Sequence, residues 1–255
     1  MIAAIVQARM GSTRLPGKVL MPAAGKPLLA HLLERLGRSE TIDRIVVATS
    51  TDARDDAIHA FCTAAGVEVF RGSESDVLDR YHQCARSIGA DVVVRVTADC
   101  PLIDPSLVDH LVRRYQSLAP DVDLVTNRRP LTFPDGTDLD VFSAATLERV
   151  SRVAHTPTQR EHVIPYFWEA GLRVHNVEHP ENLFLRHRWT LDYPEDYALI
   201  VEIIEGMYRP GTVFGIDEIL EFLASRPELS QLNARHLPTA ESSAAPPAAA
   251  SAGRA

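Results

Sequence analysis

The chain has 255 residues, an apolar share of 45% and a formal net charge of −8. This length allows one large α/β domain or two small ones, and the apolar share is ample for a packed core. An acidic surface repels nucleic acids and anionic membranes, so we expect neither as a partner.

The three cysteines, Cys62, Cys84 and Cys100, lie far apart and form no CxxC pair or metal-ligand spacing, which indicates reduced structural thiols. The first apolar run stops at Arg9 and is too short for a signal peptide. No apolar run of the sequence is long enough to cross a bilayer. We therefore expect a cytoplasmic protein.

The first predicted strand, Ile2 to Val6, leads into a basic loop from Gln7 to Lys18. This loop combines two glycines, two hydroxyl side chains and three cations, namely Gly11, Gly17, Ser12, Thr13, Arg9, Arg14 and Lys18. Glycines let backbone N–H groups approach an anion closely, and the cations neutralise its charge. A merely basic strand-to-helix connection is the alternative, but the interleaving of these residue types favours a phosphate site.

Spacing argues against two well-known phosphate loops. A Walker A loop has four residues between its glycines and a Ser or Thr after the Lys, whereas five residues separate Gly11 from Gly17 and Val19 follows Lys18. The dinucleotide fingerprint needs a third glycine, which this loop lacks. Neither a P-loop NTPase nor a nicotinamide enzyme is indicated.

Strands and helices then alternate regularly. Helices are predicted after Pro27, over Asp55 to Ala65 and from Ser73 or Glu74 to about Ile88, and strands at 44–50, 67–70 and 91–97. Such alternation specifies a doubly wound, mostly parallel sheet with helices on both faces. In the common strand order 3-2-1-4 the first and fourth strands are neighbours, and ligands bind beyond their carboxyl ends.

That order brings Asp99, which follows the fourth strand, beside the cationic loop. A carboxylate there can hold a metal ion that bridges to a triphosphate. Asp104, which precedes Pro105, is interpreted instead as the cap of the next helix. A short strand at 123–126 follows that helix, and the regular alternation then stops.

The segment from Arg128 to Phe142 is rich in turn formers, charges and aromatic residues. It is compatible with a long surface excursion. Its charges around a glycine turn suggest instead a loop that closes over a second substrate, and both interpretations stay open. The charged residues are Arg128, Arg129, Asp135, Asp138 and Asp140.

The remaining predicted elements are helices between 144 and 168, strands at 172–177 and 184–191, and helices at 194–206 and 216–224. We expect a single domain over residues 1–237, with 128–180 as substrate loop and possible dimerisation region, and a disordered tail over 238–255. His162 is a candidate for substrate contact, although a lone histidine is more often structural. Asp192 is either a helix-start carboxylate or a second metal ligand.

Six motifs together carry a family resemblance. In chain order they are QARMGSTRLPGKVL (7–20), GKPL (25–28), TADCPLIDP (97–105), PDGTDLDVFS (134–143), REHVIPYF (160–167) and LDYPEDY (191–197). With them the chain resembles the cytidylyltransferase superfamily of nucleotide-sugar enzymes, which activate sugar acids such as 3-deoxy-manno-octulosonate and acylneuraminate. The likeness is greatest to the spore coat polysaccharide biosynthesis protein F branch.

The resemblance implies a nucleotide-diphospho-sugar transferase-like fold with an irregular insertion. It also implies that CTP and a sugar or sugar acid react to give a CMP-sugar and pyrophosphate, and that the protein is a homodimer. By motif, the nucleotide site comprises Ala8, Arg9, Gly11, Ser12, Arg14, Lys18 and Thr97, with Arg9, Lys18 and Asp99 as catalytic residues. Asp99 and Asp192 match the aspartates that bind Mg²⁺, and the substrate candidates are Asp135, Asp138, Asp140, Arg160 and His162.

Two departures from the octulosonate enzymes concern the substrate. Ala98-Asp99-Cys100-Pro101 stands where those enzymes carry Gly-Asp-Glu-Pro, and the segment 128–143 differs from their sugar-acid loop. A glycosyltransferase is one competing interpretation, but its Asp-x-Asp motif would be Asp138-Leu139-Asp140, which follows a turn instead of a buried strand. A non-catalytic nucleotide-binding subunit is another, although the phosphate and metal residues are retained.

Overall fold

The computed structural model describes residues 1–239 and contains a seven-stranded sheet and a two-stranded sheet. In chain order the elements are β1 (Ile2–Gln7), β2 (Pro22–Ala23), β3 (Lys26–Pro27), α1 (Leu28–Leu36), β4 (Arg44–Ser50), α2 (Asp56–Ala64), β5 (Glu68–Gly72), α3 (Val77–Ile88), β6 (Val92–Thr97), α4 (Pro105–Leu118), β7 (Leu124–Thr126), β8 (Asp140–Ser143), α5 (Ala144–Val153), α6 (Pro157–His162), α7 (Pro165–Glu169), β9 (Val174–Asn176), α8 (Pro194–Met207) and α9 (Ile216–Ser225). Short 3₁₀ turns at Leu229–Gln231 and Ala234–His236 follow α9.

The large sheet has the order β5-β4-β1-β6-β8-β7-β9, and its first four strands are parallel. The predicted order of the first four sequence strands, 3-2-1-4, is therefore confirmed. Gln7 at the end of β1 pairs with Ala48 of β4 and Thr97 of β6. The loops that leave β1 and β6 therefore start side by side, at the carboxyl ends of these neighbouring strands.

Apolar side chains pack on both faces of this sheet. One face carries α1, α4, α8 and α9, whose leucines and isoleucines join Ala4 and Val6 of β1 in one cluster. The other face carries α3, α5 and α7, which pack on Ala3 and Ile5. Since β1 is buried on both faces, its continuous apolar sequence follows from its central position.

One strand was missed by the sequence prediction. Residues 140–143 belong to the segment interpreted as irregular, but they form β8, which pairs antiparallel with both β6 and β7. Four residues without clear alternation give no local strand signal, and hydrogen bonds from the two neighbouring strands supply the order. This pairing places Asp140 inside the sheet, opposite Arg95.

The strand predicted at 184–191 is wrong. These residues form turns and extended backbone, with an isolated bridge between Asp135 and Arg188. Their backbone hydrogen bonds go to loops: the Trp189 N–H donates to the Asp135 carbonyl at 2.6 Å, and the Leu191 N–H donates to the Asp99 carbonyl at 2.8 Å. Phe184, Trp189 and Leu191 are buried because this segment connects two loops of the cleft, not because it lies in the sheet.

No helix within residues 1–239 is long and apolar enough to cross a membrane. The expected disordered tail begins at residue 238, and all but its first two residues lie outside the part of the chain that the structure describes.

Candidate active site

A cleft of about 540 Å³ opens beyond the carboxyl ends of β1 and β6. This volume is within the range of small-molecule sites. The loop after β1, the turn after β6 and the residues before α8 form its walls. Ten of the residues proposed from the sequence line it: Arg9, Gly11, Ser12, Arg14, Lys18, Thr97, Asp99, Asp138, His162 and Asp192.

The loop after β1 is held in shape by backbone hydrogen bonds. The Met10 carbonyl accepts from the N–H groups of Ser12 and Gly17, and Gly17 adopts φ +71°. Asp55 accepts a hydrogen bond from the Met10 N–H at 2.7 Å and so fixes the start of the loop. Gly17 is therefore needed for a backbone conformation that other residues rarely adopt.

Lys18 is the centre of the site. Its ammonium donates to Asp99 at 3.3 Å, to Asp192 at 2.9 Å and to the Leu191 carbonyl. Burial alone would lower the pKa of Lys18, but the charges of Asp99 and Asp192 outweigh it and the pKa is raised. Lys18 is therefore a permanent cation between two carboxylates that are 81 and 174 residues away in sequence.

Asp192 is held by cations from two other positions. Arg14 contacts its Oδ2 at 2.9 Å and Arg188 contacts the same oxygen at 3.1 Å. Burial alone would raise the pKa of Asp192, but Lys18 and Arg14 lower it to about 2. The carboxylate is ionised at every physiological pH.

Asp99 is paired with one cation, Lys18, whereas Asp192 is paired with three. The Thr97 hydroxyl donates to its Oδ1 at 2.5 Å and Lys18 to its Oδ2, and 31% of its side chain is exposed to the cleft. Cys100, next along the chain, is 3% exposed, and burial raises the pKa of its thiol well above the usual value. Its sulfur is protonated, so Cys100 contributes neither charge nor a thiolate ligand.

Asp99 and Asp192 suit a magnesium ion whose other coordination positions would be filled by substrate phosphates. Mg²⁺ in nucleotide enzymes commonly uses one or two carboxylates and fills its other positions with phosphate oxygens and water. Both carboxylates contact one ammonium, and both keep an exposed fraction of their side chains. Across residues 1–239 no group of three or more potential metal ligands occurs, so a site made by protein ligands alone is not indicated.

Arginine and aspartate side chains alternate in the part of the cleft next to β8. Arg95 contacts Asp140 at 2.9 Å, and Arg128 contacts Asp138 at 3.2 Å and Asp140 at 3.4 Å. Burial raises the pKa of Asp138, and the Arg128 guanidinium beside it lowers the pKa by less, so the pKa is raised overall. Asp140 is fully buried, so it orients the two arginines instead of facing a ligand directly.

Four proposed residues do not line the cleft. Ala8 is 1% exposed and packs in the core. Asp135 binds Arg188 at 2.5 Å, and burial followed by the charge of Asp138 raises its pKa to about 7. Asp140 lies beneath the arginines, as described above. Arg160 donates to Asp76 and to the carbonyls of Ser151 and Ala154, so its guanidinium holds α3, α5 and α6 together.

His162 lines the cleft next to Glu161. Burial lowers the pKa of His162, so its imidazole is neutral near pH 7. Glu161 is exposed and has no hydrogen-bond or ion-pair partner among residues 1–239, and the same is true of Arg9. These side chains are free to meet ligands of opposite charge.

Sequence reasoning missed several residues of the cleft, above all Gln7, Arg95 and the supporting Arg188. One signal was available, because a charged Arg95 within the apolar strand DVVVRVT is unexpected unless it has a buried partner. Gln7 gave no such signal. Its side-chain oxygen is buried without a partner at the end of β1, where a ligand donor could reach it.

Comparisons with known proteins identify the family of the chain. Residues 3–207 match the sequence model described as cytidylyltransferase. The chain is 37% identical over 213 residues to the spore coat polysaccharide biosynthesis protein SpsF of Bacillus subtilis, covering 80% of this chain and 85% of that protein.

Solved structures of similar proteins also belong to nucleotidyltransferases. A cytidylyltransferase from Leptospira borgpetersenii superposes with a TM-score of 0.85 at 32% identity, over 90% of this chain and 96% of that one. A CMP:2-keto-3-deoxy-manno-octonic acid synthetase in complex with CTP has a TM-score of 0.60 at 20% identity, over 80% and 98% of the two chains, and so shares the nucleotide-diphospho-sugar transferase fold. The chain therefore belongs to the cytidylyltransferase family and is a nucleotidyltransferase.

Proposed function

We propose that this protein transfers CMP from CTP to a hydroxyl group of a sugar or sugar acid for surface polysaccharide biosynthesis, with release of pyrophosphate and with Mg²⁺ held by Asp99 and Asp192. The observation that carries the proposal is the contact of the Lys18 ammonium with both aspartates at the mouth of a cationic, glycine-containing loop. Such a site combines anion binding with oxygen ligands for a hard cation.

The cationic side chains have different tasks in this proposal. Arg9 faces the cleft and has no hydrogen-bond or ion-pair partner among residues 1–239, so it is available to a phosphate group. Lys18 and Arg14 are already bound to the aspartates, so they hold charge close to the position where the α-phosphate is attacked. Charges fixed before the reaction stabilise the transition state without reorganisation during it.

When bound, Mg²⁺ supplies further neutralisation of the triphosphate charge. The chain itself positions the reactants. Phosphoryl transfer of this kind needs an in-line arrangement of the attacking hydroxyl and the leaving pyrophosphate, and no covalent enzyme intermediate. We assign nucleotide binding to the loop after β1 and sugar binding to the part of the cleft with Arg128, Asp138 and His162.

Glycosyl transfer from a nucleotide-sugar is less well supported. Its Asp-x-Asp metal motif would require both carboxylates of Asp138-Leu139-Asp140 to face the ligand. Asp140 is fully buried and is bound by Arg95 and Arg128. Asp99 and Asp192 instead line the cleft together and both keep part of their side chains exposed.

Thermal unfolding with CTP, UTP, ATP and GTP, each with and without Mg²⁺, tests the nucleotide assignment. Ligand at about a hundred times its Kd adds roughly 2.7 kcal/mol to the free energy of unfolding. We expect the largest stabilisation with CTP and Mg²⁺, followed by sugar-dependent release of pyrophosphate. Stabilisation by a nucleotide-sugar alone, with release of a nucleoside diphosphate, would show glycosyl transfer instead.

The homodimer expected from the resemblance stays a prediction. Among residues 1–239 the exposed large apolar side chains are Val153 and Leu232, and of these two only Val153 lies in the segment 128–180. Light scattering decides the matter, since a mass of twice 28.1 kDa is expected for the dimer.

A further inference from the structure

Residues 208–239 follow the part of the chain that matches the family model, yet they contact both loops that carry the aspartates of the site. This C-terminal segment contains α9 and the two 3₁₀ turns. We propose that it positions the proposed metal ligands, and that Asn233 is the positioning residue for Asp192. The inference rests on the proposed function, because it assigns a supporting role to residues behind that site.

Asn233 is linked to Asp192 indirectly, through hydrogen bonds to the carboxylate of Asp196. Asn233 is 2% exposed, and its Nδ2 donates to Asp196 Oδ1 at 2.9 Å and to the Arg188 carbonyl at 2.8 Å. The other oxygen of Asp196 accepts hydrogen bonds from the backbone N–H groups of Asp192 and Tyr193, both at 3.0 Å. Asn233 therefore holds the carboxylate that fixes the backbone of Asp192.

Arg188 is oriented by the same cluster. Its guanidinium contacts Asp196 at 3.1 Å and Asp192 at 3.1 Å, while its carbonyl accepts from Asn233. Asp196 is fully buried, so the hydrogen bonds to its oxygens have no competition from bulk solvent. Loss of the Asn233 amide would leave one oxygen of a buried carboxylate with a single partner, which favours rearrangement of the whole cluster.

A second contact supports Tyr193, the neighbour of Asp192. The His236 ring stacks on the Tyr193 ring at a centroid distance of 3.9 Å and an interplanar angle of 2°. His236 also contacts Glu195 at 3.2 Å. Arg14, which binds Asp192, lies 4.8 Å from the centre of the same Tyr193 ring. The last turn of the segment therefore packs against the residues that surround Asp192.

The segment also supports the loop after Asp99. Asp104 accepts hydrogen bonds from the N–H groups of Ser106 and Ile216, which lie at the starts of α4 and α9. Arg35 donates to the carbonyls of Ile103 and Phe214, both at 2.7 Å. These bonds connect the loop 99–104 to the start of α9, so one segment braces both carboxylates of the site.

Supporting partners of metal ligands matter because they set the direction and basicity of the ligand, and their loss typically costs 10–100-fold in metal affinity or activity. We therefore expect Asn233→Ala to weaken the binding of Mn²⁺, a spectroscopic substitute for Mg²⁺, by at least 10-fold. Free Mn²⁺ is measured by electron paramagnetic resonance with the full-length protein and a non-hydrolysable CTP analogue. We also expect kcat to decrease by a larger factor than the factor by which KM for CTP changes.

Gln231→Ala is the matched control, because this exposed amide lies two residues away and does not bond to Asp196. His236→Ala and His236→Phe form a second pair: phenylalanine retains a stacked ring, so it should restore the Mn²⁺ affinity that alanine loses. This pair carries the test if Asn233→Ala does not fold. Thermal unfolding without ligand identifies a variant that is simply unstable.

The outcomes separate the inference from the proposed function. Wild-type Mn²⁺ affinity in Asn233→Ala, or in both His236 variants if that protein does not fold, overturns the positioning role and leaves the proposed function intact. Absence of CTP-dependent Mn²⁺ binding in the wild type overturns both. Weak binding in Asn233→Ala and His236→Ala, with normal binding in Gln231→Ala and His236→Phe, supports the inference.

Discussion

Asp192 provides the sharpest quantitative test, because its pKa connects the site to the stability of the protein. We expect Asp192→Asn to lower the free energy of unfolding of the ligand-free protein at pH 7. The native pKa is about 2 against a usual 3.8. At about 1.4 kcal/mol per pKa unit, this difference corresponds to about 2 kcal/mol. The side chain is 21% exposed, so solvent screening is incomplete.

The sign follows from the lowered pKa. The ionised carboxylate contributes its stability above the pKa of the unfolded chain and loses it as the pH falls towards about 2. The difference in unfolding free energy between wild type and Asp192→Asn should therefore be constant above about pH 5 and should shrink between about pH 4 and pH 2. Urea unfolding at a series of pH values measures this difference.

A matched control separates this effect from a general change of charge. The side chain of Asp121 is 91% exposed, and its one ion pair within residues 1–239 is a 3.7 Å contact with Arg173. Asp121→Asn should change the free energy of unfolding by less than about 0.5 kcal/mol, as is usual for surface substitutions. A difference for Asp192→Asn that does not change between pH 5 and pH 2.5 would refute the electrostatic reasoning.

Three further predictions concern charge, buried ion pairs and backbone space. Lys18→Met should lower kcat by about 10²–10³-fold in a pyrophosphate-release assay. Lys26→Met, which alters the other lysine, should not lower it. Equal rates for the two variants would exclude a catalytic role of Lys18. Arg188→Met should cost about 3–5 kcal/mol in urea unfolding because it leaves the fully buried carboxylate of Asp196 without a neutralising cation. A cost below about 1 kcal/mol would contradict this. Gly136→Ala should cost about 2–5 kcal/mol, since its Cβ would lie 2.3 Å from the Thr190 N at φ +98°. Gly171→Ala, at φ +63° with open space, should cost about 1 kcal/mol, and equal costs for the two glycines would contradict the steric argument.

The sequence by itself determined the parallel half of the sheet and the position of the basic loop after β1. Hydrophobic runs such as RIVVATS and the alternation with helices are local patterns, and right-handed crossovers leave few ways to assemble them. The order 3-2-1-4 then followed, and with it the proximity of Lys18 to Asp99. Asp99 closely follows β6, and Lys18 ends the loop that begins after β1, so both belong to segments that leave the carboxyl ends of neighbouring strands.

Only the tertiary structure determined the conformation of residues 184–191 and of β8 beside the cleft. Residues 184–191 are apolar enough for a strand, but their hydrogen bonds go to the backbone of Asp135 and Asp99 in two loops. Strand β8 exists because β6 and β7 bond to it from both sides. Neither preference can be found in a local window, because the partners are distant in sequence.

The tertiary structure also decided the role of each charged residue. Arg160 and Asp138 are both polar residues in family-like motifs, yet one holds three helices together and the other lines the cleft. The sequence supplied the residue types, because a phosphate site needs cations and a metal site needs carboxylates. Which carboxylate meets ligand and which meets arginine depends on burial and on contacts between distant segments, and these are properties of the folded chain alone.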